Sequence, residues 1–171
     1  MTPAINYVEG MSQTISPAEH TRLPWHLRDN WAPVLDEITA TELRVEGAIP
    51  TELDGLYVRT GPNPLSGTSN HWFFGDGMLH GVRIRNGKAE WYRNRFVQTP
   101  NVTDPLEDDF AGMGDMTRGK GNTHVMPHNG KWMALEEAHW PWLVDGELNT
   151  IGCENYGGAL TCSMTAHPKI C

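Results

Sequence analysis

Residues 78–99 read MLHGVRIR, then NG, then KAEWYRNRFVQT. Before the Asn-Gly pair, Met78, His80, Val82 and Ile84 alternate with Leu79, Gly81, Arg83 and Arg85. That period of two is the signature of a β-strand. After it, Lys88 to Thr99 is rich in aromatic and β-branched residues. Asn86-Gly87 tolerates positive φ at both positions, so the stretch predicts a tight β-hairpin.

The pattern recurs downstream. His124 to His128, Asn129-Gly130 and Lys131 to Ala138 predict a second hairpin. Trp142 to Val144, Asp145-Gly146 and Glu147 to Ile151 predict a third. The two Asn-Gly pairs lie 43 residues apart, within the repeat length of roughly 40–50 residues that marks β-propeller blades. An antiparallel sandwich is the alternative. Upstream, Leu43 to Gly47 alternates, and Leu56-Tyr57-Val58 follows an Asp54-Gly55 turn, so both are expected to be strands. No segment longer than ten residues has helical periodicity. Residues 100–121 are acidic and glycine-rich and predict a long loop between blades.

Residues 1–40 are expected to form an arm, because Pro3, Pro17, Pro24 and Pro33 break any long helix. Trp25 and Trp31 give this arm an apolar surface to lay over a body. Residues 41–171 are then the β-domain. The chain has 171 residues and a net charge of −8, without basic clusters. That argues against a nucleic-acid partner or an anionic membrane surface. No apolar run reaches the roughly 20 residues a membrane helix needs. Met1 to Ser16 lacks a basic start and an apolar stretch, so no secretory signal is expected. Cys153, Cys162 and Cys171 suggest a reducing, cytoplasmic setting rather than a disulfide framework.

Eight histidines raise the question of a metal. His124 and His128 are four apart, but the segment is strand-like and contains Pro127, so they do not make a helical zinc motif. His71 and His80 flank Gly75-Asp76-Gly77, which reads as a tight turn and not as a dinucleotide fingerprint. His20, His26 and His139 sit in loop contexts and read as surface or packing residues. Glu136 and Glu137 are expected on opposite faces of a strand, unable to act on one bond. No nucleophile elbow or phosphate loop is present.

Five segments, in order, resemble the carotenoid cleavage oxygenase family, which includes apocarotenoid- and stilbene-cleaving members. They are GLYVRTGPNP (55–64), HWFFGDGMLH (71–80), WYRNRFVQT (91–99), NTHV (122–125) with ALEE (134–137), and TAHPK (165–169). The resemblance implies an all-β chain forming the first blades of a seven-bladed β-propeller, incomplete in this chain. It implies a non-haem Fe(2+) held by four histidines, of which His167 is the first. It further implies that Glu137 accepts a hydrogen bond from the far nitrogen of a later ligand histidine, outside this chain. Such partners fix the tautomer and aim the ring. The implied reaction is insertion of O2 across a double bond of a carotenoid, apocarotenoid or stilbene, giving two carbonyl products. Hydroxystilbene-cleaving members are expected to carry Lys just before that glutamate. Glu136 stands there, which tilts the expectation toward an apocarotenoid-type conjugated alkene.

Two positions depart from the family pattern. Thr60 stands where many members have Asn, and Cys171 where the family continues with Asp. With one of four iron histidines, the chain is expected to be a truncated piece lacking a C-terminal portion, inactive and free of stoichiometric iron by itself. The rival expectations are a non-catalytic β-domain that grips a partner or apolar ligand with its seven tryptophans, and one half of a split enzyme. Peripheral membrane contact by the full-length protein stays open.

Overall fold

The computed structural model describes residues 22–107 and 111–169. The reading of Met1 to Ser16, His20 and the terminal Cys171 lie outside them. The chain divides into two compact units, 1–32 and 33–171. In the first, two 3-10 turns, Trp25–Leu27 and Asp29–Trp31, bring the Trp25 and Trp31 rings edge to face at 5.6 Å.

The second unit holds two four-stranded antiparallel sheets. One contains β1 (Thr39–Ala40), β2 (Gly55–Pro62), β3 (Gly77–Arg85) and β4 (Lys88–Phe96), in the order β1-β4-β3-β2. The other is the meander β5 (His124–His128), β6 (Lys131–Leu135), β7 (Trp142–Val144) and β8 (Thr150–Cys153). Both Asn-Gly pairs turn as expected. Asn86 and Gly87 have φ of 49° and 73°, and Asn129 and Gly130 have 48° and 75°. The doubly left-handed turn matches the twist of the strands it joins.

The third hairpin differs in detail. Its loop runs from Asp145 to Asn149, and Val144 pairs with Thr150. Asp145 Oδ1 accepts from the backbone N–H of Glu147 and of Asn149, both at 2.8 Å. The residue at positive φ is Leu148, at 66°, and not Gly146. Leu148 is fully buried, so apolar burial offsets the backbone cost of a left-handed leucine.

Leu43 to Gly47 forms no strand. The outer edge of β4 is already taken by Thr39–Ala40, whose partners are Arg93 and Tyr92. Residues 33–40 therefore belong with the sheets and not with the arm. Side chains fasten them, Arg95 among them through the Ile38 carbonyl at 2.9 Å. Asn63 exchanges two hydrogen bonds with the backbone of Val34, both 2.7 Å. Asn94 accepts from the Ile38 N–H at 2.7 Å and donates to the Asp36 carbonyl at 2.8 Å. Glu37 Oε1 accepts from the Phe96 N–H at 2.6 Å.

The main core lies between the sheets. Leu79 and Val97 from the first meet Ala134, Trp142, Val144 and Leu148 from the second, with Leu56, Val58, Trp91 and Trp132 around them. Met78 is equally buried on the opposite face of β3, so near Gly77 both faces of that strand are covered. A second cluster, Met133, Leu135, Leu143 and Ala166, covers the far face of the second sheet.

Candidate functional site

The end of β2 and the beginnings of β3 and β5 define one end of the unit, where the loop 71–77 crosses to the segment before β5. Gly75 and Gly77 are required there by close approach. A Cβ on Gly77 would stand 2.3 Å from the Lys120 carbonyl oxygen, and one on Gly75 would stand 2.5 Å from the Asn63 nitrogen. The Gly77 N–H donates to Lys120 O at 3.0 Å, and the Asn63 N–H to Asp76 O at 2.7 Å. Gly75-Asp76-Gly77 is not the tight turn the sequence predicts: Gly75 is extended (φ −64°, ψ 152°) and Gly77 opens β3, so the glycines serve close approach and not a reversal of the chain. Buried Asn122 completes the bridge, donating to Phe73 O at 2.9 Å and Gly75 O at 2.7 Å. Lys120 Nζ donates to Phe74 O. Thr60 Oγ1, at the departure from the family pattern, donates to Gly121 O at 3.1 Å.

These contacts frame a cleft of about 520 Å³. Trp72, Phe73, Phe74, Pro62 and Met113 supply an apolar wall. Glu136, Glu137, His139 and His167 supply chemistry on the other side.

His167 is positioned by its neighbours. Ala166 is fully buried in the second cluster. The Met164 N–H donates to the His139 carbonyl at 3.1 Å, and the His167 N–H donates to Thr165 Oγ1 at 3.1 Å. The segment is pinned on both sides, and the His167 side chain stays 66 % exposed. Its Nε2 is 3.7 Å from Glu137 Oε1. The structure thus brings the two site residues together. That distance exceeds a hydrogen bond, so Glu137 does not fix the His167 tautomer. The His124 ring, not expected at the site, lies 6.2 Å from the His167 ring, centroid to centroid.

Glu136 and Glu137 follow the end of β6 at Leu135 and diverge. Glu137 is exposed beside His167. Glu136 is largely buried, hydrogen-bonded through Oε1 to His139 Nδ1 and to the Ala138 N–H. Both line the same cleft, which strand alternation alone does not show. His139 is buried and paired, not at the surface. His80 is half-buried, with Nδ1 2.8 Å from the Tyr92 hydroxyl. Burial, and then the charge of Arg59, lower its pKa from 6.5 to about 4.

Imidazole suits Fe(II), and His167 presents an imidazole to the cleft. Among the described residues no three His, Cys, Asp or Glu side chains converge as a metal site. The residues present therefore fit one coordination position, not a complete centre.

Known proteins share this chain's sequence and fold. The carotenoid cleavage oxygenase of Mycobacterium tuberculosis is 42 % identical over 164 residues, matching 91 % of this chain and 32 % of its own length. The carotenoid 9,10(9',10')-cleavage dioxygenase of Crocus sativus is 37 % identical over 182 residues, with 85 % and 33 % covered. The chain spans about a third of the length of the curated relatives it matches. Among solved structures, the Pseudomonas brassicacearum lignostilbene dioxygenase superposes with a TM-score of 0.67 at 30 % identity, covering 81 % of this chain and 32 % of that one. A Synechocystis apocarotenoid oxygenase shares the fold with a TM-score of 0.66 at 23 % identity, covering 80 % and 33 %. The two sheets are accordingly blades of the β-propeller oxygenase fold, as the hairpins and their spacing predict. Residues 31–171 match the model of the retinal pigment epithelial membrane protein family, and the chain belongs to that family, which is also that of the carotenoid cleavage oxygenases.

Proposed function

We propose that this chain supplies two blades of a non-haem Fe(II) dioxygenase that cleaves a carbon–carbon double bond of an apocarotenoid-type polyene. The observation that carries the reading is the meeting of His167 and Glu137 on an apolar, aromatic-walled cleft. In this reading His167 is one iron ligand, and further histidines come from the rest of a propeller. Iron, when bound, supplies the redox chemistry that lets O2 react with an alkene. The chain's own residues do the rest. Trp72, Phe73 and Phe74 offer flat surfaces to a conjugated chain. Glu137 supplies negative charge beside the imidazole, and the burial of Ala166 holds the His167 backbone in place. A reducing, cytoplasmic setting is part of the proposal, supported by the unpaired Cys153 and Cys162.

The test begins with reading the native gene beyond the codon for Cys171 in all three frames. A polypeptide carrying the remaining blades, joined to or mixed with this chain, is loaded anaerobically with Fe(II) and given an apocarotenoid under labelled O2. One iron per propeller and two labelled carbonyl products are expected, and His167→Ala should abolish iron retention. A complete propeller that retains its iron after His167→Ala would overturn the assignment.

A further inference from the structure

We propose that Asn129, in the β5–β6 turn, is a site of spontaneous isoaspartate formation, and that the fold protects the equivalent Asn86 from the same reaction. Asparagine is thermolabile, and a glycine after it leaves the next backbone nitrogen uncrowded. The Gly130 nitrogen bonds to Asn129 Cγ, its proton departs with the side-chain amide as ammonia, and a five-membered succinimide closes. Water then opens the ring. Breaking the bond from that nitrogen to Cγ gives aspartate. Breaking its bond to the Asn129 backbone carbonyl carbon gives isoaspartate, whose main chain is longer by one carbon. No oxidant or cofactor takes part.

The two sites are local equivalents, Arg85-Asn-Gly-Lys88 and His128-Asn-Gly-Lys131. Both turns hold asparagine and glycine in the left-handed region. The succinimide requires a different rotation about the Cα–C bond of asparagine, so the turn must open before the ring can close. What differs is how each turn is held. β3 and β4 are inner strands, flanked by β2 and β1. Arg85, the last residue of β3, pairs with Asp54 at 3.6 Å. Gly87 is half-buried, and a Cβ on it would stand 3.2 Å from the Ile49 carbonyl oxygen and 3.3 Å from Thr51 Cγ2. The segment 49–51 thus covers the Asn86 turn. β5, by contrast, is an edge strand of five residues. Asn129 and Gly130 are both exposed, and a Cβ on Gly130 would meet nothing within 4 Å. An edge hairpin with an uncovered turn opens at lower free energy than one held between two strands.

The two products have different consequences. Asp-Gly suits the same turn, so aspartate leaves the hairpin intact. Isoaspartate puts an extra backbone carbon between His128 and Lys131, which pair across the turn. The other end of this hairpin is the pair His124 and Leu135, directly before Glu136 and Glu137. The lesion therefore loosens the hairpin that carries the cleft carboxylates.

The full chain is aged at mildly alkaline pH, folded and in denaturant, and mapped by peptide mass spectrometry with isoaspartyl methyltransferase labelling. In the folded chain Asn129 should convert roughly fivefold or more faster than Asn86, the ratio a modest difference in opening free energy gives. In denaturant the two should convert at similar rates. Amide exchange at Val125 and Met126 should quicken in the isoaspartate fraction and not in Asn129→Asp, which has the new charge without the extra carbon. Conversion of Asn86 as fast as Asn129 in the folded chain overturns the proposal. So does a folded chain without isoaspartate at 129 under conditions where the denatured chain forms it. Exchange that quickens equally in Asn129→Asp overturns the assignment of the damage to the lengthened backbone.

Discussion

His80 is an imidazole kept neutral by its surroundings. Burial and the charge of Arg59 hold its pKa at about 4 against 6.5. Between those two values the unfolded chain binds more protons than the folded one, so stability falls as pH drops from about 6.5 to about 4 and levels off below. The full shift corresponds to about 3 kcal/mol, and solvent screening at a partly exposed ring reduces that to roughly 1–2 kcal/mol. Urea midpoints at pH 7, 5.5 and 4 should show this loss, and His80→Gln should flatten it. An equally steep decline in His80→Gln would assign the pH dependence to other groups. Glycine gives a second comparison. Gly77→Ala places a Cβ against the Lys120 carbonyl and should cost more than about 2 kcal/mol. Gly146→Ala, where a Cβ meets nothing within 4 Å, should shift the thermal midpoint little. The resemblance pointed to His167 and Glu137. Nothing in local pattern pointed to His124 beside them, because its approach depends on how the 164–167 segment returns to β5.

Residues 33–40 show how a segment with little strand character becomes part of a sheet. Only Thr39 and Ala40 pair as a strand. The rest is held by amide side chains that imitate strand pairing, since Asn63 and Asn94 each give one donor and one acceptor to the segment. Both asparagines are buried, at 8 % and 1 % exposure, so removing either leaves backbone groups unpaired. Asn94→Ala should lower stability by about 1–3 kcal/mol, and amide exchange should quicken at Ile38 before it does in β3. Uniform protection loss across both sheets would instead mean that the segment and the sheet unfold as one. The three hairpins were legible in sequence because turn chemistry is local. The extent of the third was not, since the burial of Leu148 between the sheets outweighs its backbone preference. Leu43 to Gly47 alternates well enough for a strand, yet its neighbour in sequence occupies the edge it would need.

The two sheets share one core and one cleft. Arg93 reinforces this from outside, reaching Thr39 Oγ1 at 3.1 Å and the Glu147 carbonyl at 3.0 Å. Its guanidinium also lies 4.5 Å from the centre of the Trp91 ring. In a complete propeller each blade packs on two neighbours. Sheet edges and faces meant for neighbours are aggregation-prone when left uncovered. Expressed alone, residues 1–171 should elute as oligomers or aggregate and retain well under one iron per chain, measured by light scattering and metal analysis. A monomer with one tightly held iron would show that the residues present suffice for a metal centre, against the donor count found here.

The amino-acid sequence by itself determined the β class, the Asn-Gly turns, the blade-length spacing and, through its resemblance to a family, the two residues that meet on the cleft. These follow from local conformational preference and from short motifs, which need no knowledge of the rest of the chain. Only the tertiary structure decided which neighbours those motifs acquire. Gly77 must be glycine because Lys120 passes over it, Asn122 is buried because the 71–77 loop ends upon it, and Glu136 and Glu137 share a cleft although their side chains diverge. Each of these contacts joins residues distant in sequence or separated by a break in strand geometry, and only packing brings such residues together.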